Sequence, residues 1–431
     1  MELTGRTAAE IFDCVRLQAQ AGQLAPGQSL PPLRELATAL GLNRNTVAAA
    51  YRRLTSAGIT ESNGRLGTVI RPQNKIREQE GALADTPLLD LASGNPARRW
   101  LPNLAEVLAR QDGPPPLYGA ATVHAGLAAT ARAWLQPDCP SAQHIEVTHG
   151  AVDAIERLLE AHLVADDKVV VEEPCFITSI NTLHVAGLQA VGVPVDAEGM
   201  RADALEQALA AGARAVIITP RAHNPTGCNL SPKRALALRR VLARYPHVLI
   251  IIDDHFALLA HAPYYSVLSA TSARWALVRS VSKALGPDLR LAVLACDEQT
   301  AQRLQARLAP GTQWVSHLLQ GIAHTCLVDP AIRARIAAAG ADYAQRRATL
   351  LAALRAQKIA VSQQADGLNL WLPLAQDSAP VAHALARSGW LVRSGEAFSV
   401  RQSIQGLRIS VADLDAAAAQ KLALDLRRCL A

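Results

Sequence analysis

The stretch that most constrains the fold is RWALVRSVSKALGPDLR, residues 274–290. Its first seven residues form an apolar run that predicts a buried strand, and Lys283 lies where the chain leaves that strand. A lysine among apolar neighbours can have a lowered pKa and form a Schiff base with an aldehyde. The chain has only six lysines, and Ser280, Ser282 and Arg290 beside this one could hold a phosphate. The pattern therefore favours an aldehyde-binding lysine over an ordinary loop lysine.

Four similar apolar runs lie on either side of this stretch: KVVVEEP (168–174), RAVIITP (214–220), HVLIIIDD (247–254) and LAVLACD (291–297). Their continuous apolarity is typical of a parallel sheet that is covered on both faces. Helical patterns such as ALEQALAAGA and KRALALRRVLARY separate them. This alternation predicts an α/β domain over residues 88–431, in which about 328–431 form a smaller C-terminal lobe.

Polar motifs follow several of these predicted strands. IIIDDHFALL (250–259) ends a strand with two acids, of which Asp253 could pair with a protonated pyridine nitrogen and Asp254 could cap a helix. HNPTGC (223–228) places Asn224 after another strand, where its amide could donate to a phenolic oxygen or belong to an ordinary Asn-Pro turn.

Two weaker motifs have the same placement. VTHGAVDAIERLL (147–159) is a turn into a helix, and the free N–H groups of Gly150 and Ala151 would suit a phosphate. VEEPCF (171–176) follows a strand, and its Phe176 could stack on a flat ring or be an ordinary core residue.

The first 72 residues are more basic than the rest, with eight arginines against five acidic residues in a chain of net charge +6. Three helical stretches (7–21, 31–41 and 42–58) precede ITESNGRLGTVI (59–70), which predicts two short strands around a glycine-rich tip. This order predicts a winged helix-turn-helix over residues 1–70. Periodicity alone also allows a three-helix interaction domain with a solvated arginine face.

The third helix carries one apolar stripe, formed by Val47, Ala50, Tyr51 and Leu54. About 14 helical residues span about 21 Å, which is enough to lie in a major groove. The N-terminal residues of this helix, among them the polar candidates Arg44, Asn45 and Thr46, would then reach base edges. Arg52 and Arg53 would reach phosphates.

The overall composition limits the alternatives. With 431 residues, 50% of them hydrophobic and 19% charged, the chain is not predicted to be disordered. It has no apolar run of roughly 18–20 residues and no secretory signal at MELTGRTAAEIFDC, so neither a membrane span nor secretion is predicted. Seven scattered cysteines without a CxxC motif fit reduced thiols in a cytoplasm and no metal site. Residues 71–87 are polar and Pro-flanked, which predicts a linker.

The segment LAPGQSLPPLRELATALGLNRNTVAAAYRRL strongly resembles the GntR family of bacterial regulators. The resemblance implies that Arg34, Arg44 and Thr46 contact DNA and that the wing enters the minor groove. The family wing usually reads Gly-x-Gly-Thr, whereas this chain has Arg65-Leu66-Gly67-Thr68. Arg65 is nevertheless well suited to a narrow minor groove.

The body resembles the fold-type I aminotransferases, which implies a pyridoxal 5′-phosphate (PLP) cofactor. Carried over residue by residue, the resemblance implies a Schiff base at Lys283, a pyridine-nitrogen contact at Asp253, an O3′ contact at Asn224, ring stacking at Phe176, and a phosphate cup of Gly150, Ala151, Ser280, Ser282 and Arg290. Tyr118 in LYG (117–119) would reach the neighbouring subunit's phosphate, and Arg408 in GLRIS (406–410) would bind a substrate carboxylate. His255 and His149 depart from the family pattern; His255 could still contact O3′, with pH-sensitive protonation.

Together the two halves resemble the MocR family of bacterial transcriptional regulators. That resemblance implies a homodimer with a head-to-tail domain swap, a double-stranded DNA operator, and an effector that is PLP or an amine or amino acid captured on it. A branch linked to vitamin B6 is the finer hypothesis. Two alternatives stay open at this point: an active PLP-dependent aminotransferase with an accessory DNA-binding head, and a degenerate body without a cofactor.

Overall fold

The computed structural model describes residues 3–63, 67–71, 80–81, 86–111, 116–139, 143–361, 366–400 and 403–430. It divides into two compact units, Met1–Ile76 and Arg77–Ala431, which we call the head and the body. Arg65 and most of the predicted linker lie outside the described residues. Within the described part, no helix is both long enough and apolar enough to cross a bilayer.

The head contains the three helices and two strands that the sequence predicts: α1 (Ala8–Gln20), α2 (Leu33–Leu40), α3 (Arg44–Ser56), β1 (Thr60–Asn63) and β2 (Gly67–Ile70). Each helix has a local start or stop signal. Thr7 caps α1 through its hydroxyl, Gly41 ends α2 in the left-handed region, and the Asn43 carboxamide caps α3. The two strands pair antiparallel.

The predicted apolar stripe of α3 is the centre of the head core. Val47, Ala50, Tyr51 and Leu54 are all buried, together with Ile11 and Val15 of α1. The Tyr51 hydroxyl donates a hydrogen bond to the Pro31 carbonyl at 2.8 Å, which satisfies the one polar atom of the stripe. This packing directs the polar side of α3 outward.

The body begins with a short strand, β3 (Leu89–Asp90), and contains an eight-stranded sheet. In chain order its strands are β4 (His144–Thr148), β5 (Lys168–Glu173), β6 (Gln189–Asp196), β7 (Gly199–Met200), β8 (Ala215–Ile218), β9 (Leu249–Asp253), β10 (Trp275–Ser280) and β11 (Ala292–Cys296). Their spatial order is β4-β11-β10-β9-β8-β5-β6-β7. The five predicted strands are confirmed.

The sheet is mixed, whereas the apolar runs predicted a parallel one. β11 runs antiparallel to both of its neighbours, β10 and β4, and β7 runs antiparallel to β6. Only eleven residues separate β10 from β11, too few for a usual crossover helix. A continuous apolar run reports burial on two faces, and it does not report strand direction.

Helices cover both faces of the sheet: α4 (Leu104–Leu108), α5 (Ala125–Leu135), α6 (Ala151–His162), α7 (Ile177–Val185), α8 (Ala202–Ala210), α9 (Pro232–Leu242), α10 (Ser282–Leu285), α11 (Glu298–Leu308) and α12 (His317–Val328). Alternate residues of one strand enter different cores. Ile250 and Ile252 of β9 belong to one buried cluster, and Leu249 and Ile251 belong to the other. This two-sided burial explains the unbroken apolar run in β9.

The C-terminal lobe consists of α13 (Pro330–Ala356), β12 (Asn369–Pro373), α14 (Ser378–Arg387), β13 (Trp390–Leu391), β14 (Arg393–Ser394), β15 (Gly406–Ser410) and α15 (Ala416–Cys429). Its sheet has the order β12-β15-β14, while β13 pairs with β3. The lobe core includes Leu91, which directly follows β3. The start of the body is therefore part of the lobe, a long-range pairing that the sequence did not predict.

Candidate cofactor site and DNA-binding helix

The residues predicted to bind a cofactor meet at one edge of the large sheet. β8, β9 and β10 are parallel, and Val278 of β10 is in register with Asp253 at the end of β9. Asn224 follows β8, and Phe176 follows β5 in the same direction. In such sheets ligands bind outside the carboxyl ends of the strands.

The antiparallel strand β11 brings the phosphate-binding candidates to this edge. Ser280 is in register with Ala292, and Ala292 with Thr148, so the flanking Arg290 and Gly150 become neighbours. Arg290 Nη2 donates to the His149 carbonyl at 3.2 Å. Gly150 has φ +97°, and a Cβ there would lie 3.1 Å from Arg290 Nη2. Glycine is therefore required at the turn into α6.

This turn has the features of an anion site. Gly150 supplies no side-chain cap to α6, whose first N–H groups are unpaired within the helix. The Ser282 N–H donates to Ser280 Oγ at 3.2 Å, which places both serines beside Lys283. With the Arg290 guanidinium, these groups supply the positive charge and donors that a phosphate needs.

Lys283 is half-buried at the centre of the edge, on α10. Burial lowers the pKa of its ammonium group; Glu80 opposes that shift, and Arg408 adds to it. Lys283 Nζ donates to the Gly94 carbonyl at 2.7 Å. Gly94 has φ +63°, and a Cβ there would lie 3.5 Å from Arg408 Nη2. One glycine thus separates the lysine from the arginine.

The two acids at the end of β9 have different surroundings. Burial, and then the charge of Asp254, raise the pKa of Asp253 to about 7. Asp253 Oδ1 is buried and has no hydrogen-bond partner among the described residues. Such an orphaned acceptor fits the N–H of a protonated pyridine ring, as PLP would present.

Asp254 has a structural role in place of the predicted helix cap. Its carboxylate accepts from Arg221 Nε and Nη2, both at 2.8 Å, and from Arg279 Nε at 2.9 Å. Burial opposes its ionisation, but the hydrogen bond and charge of Arg221 and the charge of Arg279 lower its pKa. The sequence did not predict this network, because it joins residues from three separate segments.

His255 lies beside Asp253, with 4.0 Å between its Nδ1 and Asp253 Oδ1. Burial, followed by the charge of Lys283, lowers the pKa of His255 to about 4. The imidazole is therefore neutral at pH 7. The pH-sensitive protonation predicted for His255 would fall near pH 4, since burial outweighs the opposing contributions of Asp254 and of the Asp253 backbone.

A second buried pair adjoins this edge and was also missed from the sequence. Burial raises the pKa of Glu172 to about 8 and lowers that of His223 to about 3. His223 Nε2 lies 3.4 Å from Glu172 Oε2, which also accepts from the Thr219 N–H at 3.1 Å. A neutral glutamic acid can donate a hydrogen bond to the neutral imidazole.

Arg408 is fully buried, and its guanidinium lies over the Phe398 ring, 5.0 Å from the ring centroid. Arg408 Nη1 donates to Asn224 Oδ1 at 3.0 Å, so the structure joins two predicted site residues. Between them lies an acid that the sequence did not predict: Glu80 accepts from Arg408 Nη2 at 2.8 Å and also contacts Nη1. Asn224 Nδ2 donates to Glu80 Oε1 at 3.3 Å. The polar segment around Glu80 gave no signal for this contact.

The two aromatic candidates differ in their burial. Phe176 is the N-cap residue of α7 and is half-buried. Tyr118 is 87% exposed and meets Trp314 edge-on, with 5.7 Å between ring centroids. The predicted contact of Tyr118 with a neighbouring subunit stays a prediction.

In the head, the described DNA-contact candidates lie on α2 and α3. Arg34, Arg44, Asn45 and Arg52 are exposed, and Thr46 is half-buried. No acidic residue occurs in α3, so this face carries positive charge alone. The exposed Arg53 guanidinium lies 5.1 Å from the Phe12 ring centroid, and its contact with phosphate stays a prediction. Arg65 lies outside the described residues, and its contact stays a prediction.

Comparisons with known proteins match both units. Residues 7–70 match the model of bacterial regulatory proteins of the gntR family, and residues 86–426 match that of aminotransferases of class I and II. The body has the fold of a Pyrococcus horikoshii kynurenine aminotransferase, with a TM-score of 0.72 and 20% identity over 80% of this chain and 91% of that chain.

Relatives with both halves are regulators by name. The "Vitamin B6 salvage pathway transcriptional repressor PtsJ" of Salmonella typhimurium is 52% identical over 428 residues, or 99% of either chain. The "Probable rhizopine catabolism regulatory protein MocR" of Rhizobium meliloti is 26% identical over 72% of this chain and 69% of that protein. The chain therefore belongs to the MocR family of transcriptional regulators, in which a GntR-type DNA-binding domain precedes an aminotransferase-like domain.

Proposed function

We propose that this chain is a PLP-binding regulator that binds operator DNA through α3 and its wing and controls vitamin B6 metabolism. One observation supports the cofactor above the others: buried Asp253 Oδ1 lacks a partner at the same sheet edge as Lys283. The relative named for vitamin B6 salvage supports the pathway, since the likeness extends over 99% of both chains.

The residues fit PLP in three places. Gly150, Ser282 and Arg290 would hold the phosphate, and Asp253 would hold the pyridine nitrogen. When bound, PLP supplies an electrophilic aldehyde and an electron-withdrawing ring. Lys283 would supply the amine for that aldehyde, and its lowered pKa favours the neutral, nucleophilic form.

The head would read DNA through exposed groups. Arg44 and Asn45 at the start of α3 would contact base edges, and Arg52 would contact phosphate. In a homodimer, two heads would read two half-sites. A ligand that favours one state of the body would change operator affinity by shifting the populations of those states.

A DNase footprint on the DNA upstream of the chain's own gene, with and without PLP, tests this proposal. We expect a protected region whose extent or midpoint concentration changes with PLP. Protection that is indifferent to PLP would contradict the cofactor-sensing part. Absence of protection there, followed by absence of protection on a genomic fragment library, would contradict the regulator as a whole.

A second candidate is a working aminotransferase with an accessory head. It is favoured by the joint retention of Lys283, Asp253, Asn224 and buried Arg408 at one edge. Multiple turnovers of an amino acid and an oxo acid would support it. Binding of an amino acid without turnover would support the sensor instead.

A further inference from the structure

Glu80 of this chain binds Arg408, the residue that is predicted to bind a substrate carboxylate. Glu80 belongs to the body unit, and its carboxylate meets both terminal nitrogens of the Arg408 guanidinium. Two parallel contacts of this kind form the geometry in which arginine binds a carboxylate most strongly. Asn224 Nδ2 adds a third donor at 3.3 Å.

The surroundings of Arg408 hold its guanidinium in a fixed position. Its guanidinium is fully buried, rests on the Phe398 ring and donates to the Asn224 side chain and the Ala92 carbonyl. A buried guanidinium needs an anionic partner, because an uncompensated charge in the interior is costly. Among the described residues, Glu80 is that partner.

Glu80 itself depends on this site for its charge. Burial opposes its ionisation, yet hydrogen bonding to Arg408 and the charges of Arg408, Lys283 and Arg393 lower its pKa. Its side chain retains only 18% exposure. The Glu80 carboxylate thus lies on Arg408 and close enough to Lys283 to feel its charge. An amino acid bound near Lys283 would need the same position on Arg408 for its own carboxylate.

We propose that Glu80 is an internal competitor for Arg408, so that a ligand bearing a carboxylate must displace Glu80 to bind. This inference rests on the proposed function, because the ligand is taken to be an amino acid held beside the PLP lysine. Glu80 follows Arg71, the last continuously described residue of the head, by nine positions. Displacement of Glu80 therefore frees the body residue that the structure describes nearest to the head along the chain.

Limited trypsin digestion of the full chain without cofactor tests the anchoring. Lys75 and Arg77 precede Glu80 by five and three residues, and a protease needs several extended residues on either side of the bond it cleaves, which here reach Glu80. We expect Glu80→Gln and Glu80→Ala to be cleaved at these residues about tenfold faster than the wild type, since a charge-assisted pair is lost. Glu298→Gln, the same change at an exposed residue of α11, is the control and should leave the rate unchanged. Wild-type rates in both Glu80 variants would overturn the inference.

Titration of the PLP-loaded protein with L-alanine and with ethylamine tests the competition. Ethylamine lacks the carboxylate, so only L-alanine should bind more tightly to Glu80→Gln, by about tenfold if Glu80 fills the site nine-tenths of the time. Saturating L-alanine should also speed tryptic cleavage of the wild type. An L-alanine affinity that Glu80→Gln does not raise, including no binding by either protein, would overturn the competition. A wild-type protein that shows no absorption from bound PLP would instead count against the proposed function. The digestion experiment would still decide whether Glu80 is held by Arg408.

Discussion

Three arginines of the head and three of the body are used in opposite ways. Arg34, Arg44 and Arg52 are exposed and form no ion pair within the described residues. In the body, Arg221, Arg279 and Arg408 are buried, and each is paired with a carboxylate. Exposed arginines are available to a polyanion, whereas buried ones are fixed in place before any ligand arrives.

This difference separates two kinds of recognition. The exposed positive charge of the head is accessible to DNA, and the affinity of the head for DNA should vary steeply with the salt concentration. The buried body site can change state only when one paired group is exchanged for another. A regulator needs both, because the body must respond to a small ligand while the head keeps its DNA-binding surface.

The largest expected effect comes from a substitution that removes cofactor attachment in the body and leaves the head unchanged. In Lys283→Ala the amine that would attach PLP is absent, so we expect complete loss of covalently held cofactor. Reduction with borohydride followed by mass measurement checks this directly. Operator binding without PLP should stay measurable, and its loss would contradict the separation of the two regions.

The next effect concerns the stability of the body. Asp254→Asn removes the charge that two buried arginines share, and we expect it to lower the free energy of unfolding by about 3–5 kcal/mol. Urea denaturation checks this value. Asp203→Asn is the matched control, because Asp203 pairs with Arg201 on the exposed surface, where solvent screens the pair, and should change the free energy of unfolding far less. Equal effects at the two sites would remove the proposed difference between buried and exposed pairs.

The sequence predicted more of the site than of its connections. Lys283, Asp253 and Asn224 each follow an apolar strand, and parallel strands place such residues at one edge. The reversal of β11 was missed, because apolarity does not encode direction. Glu80 was missed because its contact with Arg408 spans 328 positions and no local period marks it. The ion pairs of Asp254 have no local signal in the sequence either, because Arg221 and Arg279 lie in other segments.

An intermediate effect tests the head. Arg44→Ala should weaken operator binding by about 1–3 kcal/mol and relax specificity at the bases it contacts. Arg52→Ala should weaken binding to all sequences similarly and make the salt dependence less steep. Titrations of operator and unrelated DNA at several salt concentrations check both. PLP binding should be unchanged in both variants, and identical behaviour of the two would contradict the placement of Arg44 at bases and Arg52 at phosphate.

The smallest expected change, counted per pH unit, is the slope of body stability with pH. The pKa of Asp253 is raised to about 7 in the folded chain, above about 3.9 when unfolded, so between these values the folded state binds the extra proton. The contribution of Asp253 to stability is therefore fully present below about pH 4 and is lost as the pH rises to about 7, by at most about 1.4 kcal/mol per pH unit. His255 acts in the opposite direction, because its lowered pKa of about 4 costs stability as the pH falls. The difference between wild type and Asp253→Asn isolates the aspartate, since both retain His255. Urea denaturation without PLP from pH 4 to pH 7 should show the wild type losing stability relative to the variant, and parallel curves would show that Asp253 is ionised throughout.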